Sequence, residues 1–460
     1  MLRKVKTSTP KGGFMGSEVN RYERFCQFKQ DIRGSVEHLI IGMDVAKDKH
    51  HAFFGMANGK TIYKRLIFTN DLSGFDKLMS HVESLTTQHG LSKVVFGLEP
   101  TGNYHKPLAD WLISKDHLVV LVGGKAVKDN RELIDGRWDK NDTKDSANVA
   151  DLVSQGKCQF YEQPGTRLNE LRNLLSLRKR LKKQEHAFRM RIRNGVLTKF
   201  FPEMDHYWGS SVEENLAIVE RCLSPRKISA MTFPEFVKRV TTTDRGTRQL
   251  HRLQSIYDAA GHSVGLPMGS ADEFEAGMLV KDLRAVRTRI KETMEQVETV
   301  CREFESYDIL QTIPGYGPYI SALVLAAIGE PERFKSRKHV RRLAGLDLCA
   351  SRSGRKSDQA VPVISKRGDA DLRYGLYQAA LIASYHSDDF RRLFNRMLKG
   401  RERERGIKTK MRVKLAEKML VIAWTLMKKK EPFTPLFLRA ANTVFGETEL
   451  GSAGEQPNKG

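Results

Sequence analysis

Four carboxylates stand where a two-metal site would need them. Asp44 ends the apolar run IIGMD, among residues that a buried strand would hold. Glu99 ends KVVFGLE and is followed at once by Pro100, Thr101 and Gly102, which stop a strand. Asp142 and Asp145, in KNDTKDSANVADL, are three apart and share one face at the start of a helix. Hard Mg²⁺ or Mn²⁺ takes oxygen ligands of this kind, and two such ions about 4 Å apart stabilise both oxygens of a phosphoryl transfer. Each carboxylate alone has a plainer reading, as a turn former or a helix-start acid. Asp48, Asp135, Asp139 and Asp151 compete for the same roles from loop-like or mid-helix contexts.

A second constellation lies further along. IPGYGPYISALVLAAIG carries Gly315 and Gly317 in the turn of a helix-hairpin-helix-like element, where backbone N–H groups at a helix start can hold a phosphate. After it come Arg341, Arg342, Arg352, Arg355, Lys356, Lys366, Arg367 and Arg373, surrounding Ser351, Ser353 and Ser365. A serine among arginines reads as a phosphate binder, a phosphorylation site, or a nucleophile made reactive by local positive charge.

The elements that must position these groups follow from periodicity. Residues 1–36 are polar without a clear period and are expected as a flexible arm. HLIIGMDVA, HHAFFGMA and TIYKRLIF read as three antiparallel strands, with Asn58-Gly59 as a hairpin turn. Helices over 72–88, 104–114 and from about residue 144 alternate with strands 93–99 and 118–122. Residues 37–163 thus form an α/β domain with a mixed sheet.

Residues 164–306 change texture. Between 167 and 199 stand eleven Lys/Arg against two Glu, and Leu168, Leu171, Leu174, Leu175, Leu181, Phe188 and Ile192 recur at helical spacing. Over 273–305, Leu279, Leu283, Val286, Ile290, Val297, Val300 and Phe304 alternate steps of four and three with Thr293 in the gap, which predicts a heptad seam. A helical stalk or antiparallel coiled coil is expected, able to join protomers and carry nucleic acid. Residues 307–440 read as a mostly α C-terminal domain, and 441–460 as a disordered tail.

Composition bounds the function class. The chain has 460 residues, 40% hydrophobic, so two or three cored domains are expected and wholesale disorder is excluded. A net charge of +23 points to a polyanionic partner, nucleic acid before any other. Five widely spaced cysteines without a CxxC pair fit neither a disulfide framework nor a zinc ribbon, so reduced thiols are expected. MLRKVKTSTPKGGFMGSE has no apolar core behind its basic residues, and the apolar stretches at 319–328 and 419–427 are about half of the ~20 residues a membrane span needs. A cytoplasmic protein without membrane association is expected.

The runs GMDVAK, GLEPTGNYHKPLADWL and KNDTKDSANVADLV resemble the DEDD-type transposases of insertion sequences that move through a circular intermediate. The stretch from IPGYGPYIS through LAGLD and SRSG to ISKRGDADLR resembles their second transposase domain. The resemblance covers roughly residues 38–160 and 308–385, in the family's domain order. It implies an RNase H-like, RuvC-like N-terminal domain whose acids are Asp44, Glu99, Asp142 and Asp145. It puts the family's nucleophilic serine at Ser353, with Ser351 two residues away as the alternative register. KNDTKDSA departs slightly from the usual KTDxxDA, and Asp369 replaces the usual Asn.

What the resemblance implies goes further than the residues. Recombination in this family is guided by a structured non-coding (bridge) RNA, and a homo-oligomer, dimer or tetramer, forms a composite site from two subunits. The serine attacks a DNA phosphodiester to give a covalent phosphoserine, and strands are exchanged through a junction intermediate. The setting implied is a prokaryotic cytoplasm, at the nucleoid when active. Two rivals remain from the residues themselves: a RuvC-like metal-dependent junction endonuclease, which needs only the carboxylates, and a non-catalytic basic nucleic-acid-binding protein.

Overall fold

The computed structural model of the chain describes residues 21–135, 141–161, 165–209, 211–241, 243, 246–350, 362–436 and 438. It divides into two compact units, Met1–Gly165 with Glu330–His339, and Thr166–Gly329 with Val340–Gly460.

The first unit runs α1 (Arg21–Ile32), β1 (His38–Asp44), β2 (Lys49–Met56), β3 (Thr61–Thr69), α2 (Leu72–His89), β4 (Lys93–Leu98), α3 (His105–Ser114), β5 (Leu118–Leu121), α4 (Gly124–Asp135), α5 (Asp142–Ser154) and β6 (Gln159–Phe160). Its sheet has the order β3-β2-β1-β4-β5-β6. The first three strands pair antiparallel, β1-β4 and β4-β5 pair parallel, and β6 closes antiparallel. This mixed α/β architecture is consistent with the expected RNase H-like fold. The Asn58-Gly59 turn forms as its residue types require: Gly59 takes φ +92°, and the Asn58 side chain accepts the Lys60 N–H at 3.1 Å.

Strand alternation sends side chains to two cores. Leu39, Ile41, Met43, Phe96 and Leu98 pack with α2 and α3 residues such as Phe75, Leu78, Leu108 and Leu112. Ile40, Val95 and Val120 pack on the other face with Val127 of α4, Val149 and Val153 of α5, and Phe28 and Ile32 of α1. The helix α1 corrects the expected arm over part of its length. Phe25 and Phe28 stand edge-on to Phe160 at 5.6 and 5.4 Å, and that apolar contact holds a segment whose polar composition hid it. Residues 1–20 and the tail 441–460 lie outside the described residues.

Among the described residues the second unit is helical apart from one two-stranded ribbon. It runs α6 (Thr166–Arg191), a π-helical turn Ile192–Leu197, α7 (Thr198–Phe200), a 3-10 helix Pro202–Tyr207, α8 (Glu213–Arg221), α9 (Pro225–Ser229), α10 (Phe233–Val240), α11 (Thr247–Gly261) and α12 (Ser270–Cys301). Then follow α13 (Glu305–Gln311), α14 (Pro318–Ile328), α15 (Arg337–Leu343), whose start belongs to the first unit, β7 (Leu348–Cys349), β8 (Val363–Ile364), α16 (Ala370–His386), α17 (Asp388–Leu398) and α18 (Ile407–Lys429).

The two long helices α6 and α12 lie antiparallel: Arg167 meets Glu303 at 2.9 Å, and Glu185 meets Arg287 at 3.2 Å. The seam positions Leu279, Leu283, Val286, Val297 and Val300 are buried within this one chain, and Ile290 is half-buried. Between the two helices, residues 192–261 pack Ile192, Phe200, Phe201, Leu216, Ile218, Phe236, Leu253 and Ile256 into a core shared with Ala276, Leu279, Val280 and Leu283 of α12. Among the described residues no helix is long and apolar enough to cross a membrane. The five cysteines are free, and burial pushes the Cys158, Cys222 and Cys301 thiols up to about 12.

Candidate active site

Two glycines decide where α5 lies. Gly42 of β1 and Gly97 of β4 are partners in the parallel register. A Cβ on Gly42 would stand 2.1 Å from the Ser146 carbonyl oxygen and 2.5 Å from the Ala150 nitrogen. One on Gly97 would stand 2.7 Å from Cγ2 of Val153. Only side-chain-free backbone admits α5 this close to the sheet. Two residues further on, by strand alternation, Asp44 and Glu99 project from the same face. They are neighbours across the strands, and the Glu99 N–H donates to the Met43 carbonyl at 3.4 Å.

The start of α5 meets these strand ends. Asn141 caps it, its side chain accepting the Thr143 N–H at 2.9 Å, and Asp142 and Asp145 occupy the first turn. Asp145 is 1% exposed; its Oδ1 accepts from Nε of Arg131 at 2.7 Å, and its Oδ2 is buried without a hydrogen-bond partner. Asp142 lies 3.3 Å, Oδ2 to Nε2, from His51. His51 is itself the cross-strand partner of Asp44 in the β1-β2 ladder, so one imidazole faces two of the four acids. Glu99 reaches toward α4: its Oε1 would be 3.0 Å from a Cβ on Gly124.

Neither His51 nor Arg131 is marked by the residues around it in sequence. The short β1-β2 connection fixes a register with Asp44 opposite His51, so His51 was within reach of pairing arithmetic. Arg131 carries no local signal, since its contact spans fourteen residues between two helices. Among the rivals, Asp151 is committed elsewhere: its Oδ2 accepts from Asn130 at 2.9 Å and Gln155 at 2.8 Å. Asp139 and the side chain of Asp135 lie outside the described residues, and Asp48 sits in the β1-β2 connection.

Among the described residues no three or more His, Cys, Asp or Glu side chains are gathered so that they could hold a metal ion. Arg131 on Asp145 and His51 beside Asp142 and opposite Asp44 already set nitrogen donors among the acids. The chemistry of the set nonetheless suits a hard cation. All four are oxygen donors, and one of them offers a buried acceptor with nothing to accept.

The second constellation is placed in part. Ser351, Arg352, Ser353, Arg355 and Lys356 fall outside the described residues, in the segment bounded by the antiparallel ribbon of β7 and β8. At its base Gly368 packs on Gly345, where a Cβ would come within 2.4 Å of the Gly345 nitrogen. Ser365 donates to Oδ1 of Asp347 at 2.6 Å, so this serine is engaged. Arg342, Lys366 and Arg367 are exposed beside the ribbon. Arg341 pairs with Glu417 at 2.5 Å and Arg373 donates to the Ala344 carbonyl at 2.8 Å, which are structural ties. Gly315 takes φ +89° against α16, with a Cβ 2.5 Å from the Ala379 carbonyl, so packing accounts for it, while Gly317 is exposed at the start of α14.

The chain is similar to known proteins along both units. A DEDD-type family model described as "Transposase", built on IS110, matches residues 41–202. A second, "Transposase IS116/IS110/IS902 family", matches residues 307–395. A 44.8 kDa protein of insertion element IS116 from Streptomyces clavuligerus is 24% identical, over 87% of this chain and 97% of its own length. The transposase of IS1111A from Coxiella burnetii is 23% identical over 90% of this chain and 96% of its own. A pilin gene-inverting protein from Moraxella bovis is 23% identical over 85% and 97%. With a matching α/β unit, both transposase models in order, and relatives aligned along nearly their whole length, the chain belongs to the DEDD-type insertion-sequence transposases and is a DNA transposase/recombinase.

Proposed function

We propose that this transposase cuts and rejoins DNA with a RuvC-like carboxylate metal site and the serine nucleophile Ser353. The observation that carries the reading furthest is the Gly42/Gly97 seat of α5, which brings Asp142 and Asp145 to the strand ends bearing Asp44 and Glu99. These four residues would hold Mg²⁺ or Mn²⁺, which when bound would polarise the scissile phosphate and stabilise the developing oxygen charge. His51 and Arg131 orient two of the four acids.

Ser353 attacks phosphorus in this reading. Its Oγ–phosphorus bond replaces a phosphorus–oxygen bond of the DNA backbone, its proton passes to a base, and the departing deoxyribose oxygen is protonated to a hydroxyl. Arg342, Lys366 and Arg367, exposed at the base of the serine segment, hold phosphates together with Arg352, Arg355 and Lys356. The excess of positive charge serves more than one nucleic acid, DNA and a structured guide RNA. The α6/α12 coiled-coil stalk spends its seam within the chain, so in this reading copies join into a dimer or tetramer through its other faces, and acids and serine meet across subunits. The setting is a prokaryotic cytoplasm, at the nucleoid when active.

A mixing experiment tests the reading. Ser353→Ala protein should bind DNA and form no denaturation-resistant phosphoserine adduct, and Asp44→Ala protein should do likewise. Mixed together, the two should recover part of the activity. An adduct lost in Ser351→Ala and kept in Ser353→Ala would move the nucleophile two residues. Cleavage with no adduct from any version would leave a metal-only nuclease.

A further inference from the structure

Neither matched transposase model covers residues 203–306. The α6/α12 pair and the helical module between them hold a cavity of about 390 Å³, within the range that small ligands use. Three arginines line it from two helices: Arg189 near the end of α6, Arg193 in the π-helical turn, and Arg287 of α12. Trp208, half-buried just past the 3-10 helix, supplies an aromatic wall, and Glu185 and Ser211 also line it.

The three guanidinium groups are not equivalent. Arg193 is held in a two-point pair by Asp205, at 2.6 and 2.9 Å. Arg287 is held by Glu185, which Lys182 also reaches. Arg189 has no acidic partner among the described residues, and its Nε is buried without a hydrogen-bond partner. A half-buried guanidinium that lines a cavity without an acidic partner calls for an anion, and a phosphate takes a guanidinium fork well. The indole beside it calls for a flat ring, as nucleobases are. A π-helical turn at the cavity is the kind of helix irregularity that concentrates at functional sites.

We infer that this cavity binds one unstacked nucleotide of a single-stranded or looped nucleic acid, with its phosphate on Arg189 and its base against Trp208. Duplex does not offer this chemistry, because its bases are stacked and paired. The site takes from family membership only that the chain handles nucleic acid, and it is independent of the carboxylates and of Ser353. Arg193 and Arg287, fixed by their acids, shape the cavity and add positive potential around it.

The full-length protein tests it, by anisotropy with labelled short single strands of RNA and of DNA and with a duplex of the same sequence. Trp208→Ala and Arg189→Gln should each weaken single-strand binding by about tenfold, the scale of losing one stacked base. Trp208→Phe should keep most of it, and duplex binding should not change. The stronger loss, in RNA or in DNA, names the source of the nucleotide. Because Trp208 packs on the module core, its alanine variant could lose the fold. Arg189→Gln and photocrosslinking of the wild type to an iodouracil-bearing strand then decide. A crosslink in the peptide that contains Trp208 supports the site. A crosslink only elsewhere, unchanged single-strand affinity in Arg189→Gln, or equal loss of duplex and single strand would overturn it. A wild type that binds duplex and no single strand would overturn it too. A wild type that binds neither would also unseat the assignment of the chain to nucleic-acid chemistry.

Discussion

Arg131 holds one oxygen of Asp145 at 2.7 Å and leaves the other buried and unpartnered. The acid is 1% exposed and the arginine side chain 18%. Removing one partner of a buried ion pair is costly because the other charge remains desolvated. Arg131→Gln should therefore lower stability by about 3 kcal/mol in metal-free buffer. If Asp145 is a metal ligand, Mn²⁺ should raise the melting temperature of the variant more than that of the wild type. Thermal denaturation with and without the ion reads both effects. Equal shifts in the two proteins would separate Asp145 from the metal.

Gly42→Ala tests the seat of α5. Its new methyl would meet two backbone atoms of the helix, at 2.1 and 2.5 Å, and backbone cannot swing aside as a side chain can. Overpacking costs roughly 1–3 kcal/mol, and this site belongs at the upper end. Urea denaturation should show the loss. The soluble fraction should have lost strand cleavage as well, because α5 carries Asp142 and Asp145 away from the sheet. Full cleavage in a folded Gly42→Ala protein would show that the acids need not meet.

Much of this arrangement is legible in the sequence because it is local. Apolar runs, the Asn58-Gly59 turn and the Pro100-Thr101-Gly102 stop each report their own segment, and together they place Asp44 and Glu99 at strand ends. Contacts between distant segments are not legible in that way. Arg131 on Asp145 depends on how α4 lies against α5, and the α1 helix depends on Phe160, more than a hundred residues away. The heptad seam of α12 is visible, but its partner is not. It is buried in the same chain, where a sequence pattern alone fits another copy equally well. The core of residues 192–261 is spread over helices of three to fifteen residues, too short for a clear period, and the helical run from Thr166 passes into a π turn that holds Gly195.

Asp151 supplies the control for the acids. It lies on α5 with Asp142 and Asp145, yet its carboxylate is taken by Asn130 and Gln155. Asp44→Ala, Glu99→Ala, Asp142→Ala and Asp145→Ala should each lower strand cleavage by more than the roughly 10–100-fold that outer partners of a metal ligand cost. DNA affinity should hold, since the basic surfaces supply it. Asp151→Ala should lose about 1–3 kcal/mol of stability through unsatisfied amides and keep its cleavage. A gel assay on all five proteins, with denaturation curves beside it, separates the two classes. Wild-type cleavage by Asp142→Ala and Asp145→Ala would remove the helical pair from the site.

Acid should act on the two units in sequence. In the first unit burial holds His38, His50, His105 and His117 below the ordinary imidazole value of 6.5. They stay neutral when folded and protonate more readily when unfolded, so their contribution is present above pH 6.5 and is lost as pH falls below it. In the second unit the depressed groups are acids. Burial raises Glu185 and Glu214, and their partners overcome it: Lys182 and Arg287 for the first, the Glu214 backbone N–H, Gln249 and Arg252 for the second. Arg193 lowers Asp205 as well. The glutamates start from an ordinary value of 4.5 and Asp205 from 3.8, so their contribution survives until the pH falls below that range. Hydrogen exchange read by mass spectrometry between pH 7 and 4 should show strands β1, β4 and β5 losing protection first, from about pH 6.5. Helices α6 and α12 should hold until about pH 4.5. Opening of α6 and α12 ahead of the sheet would show that groups other than these histidines and acids govern the acid response.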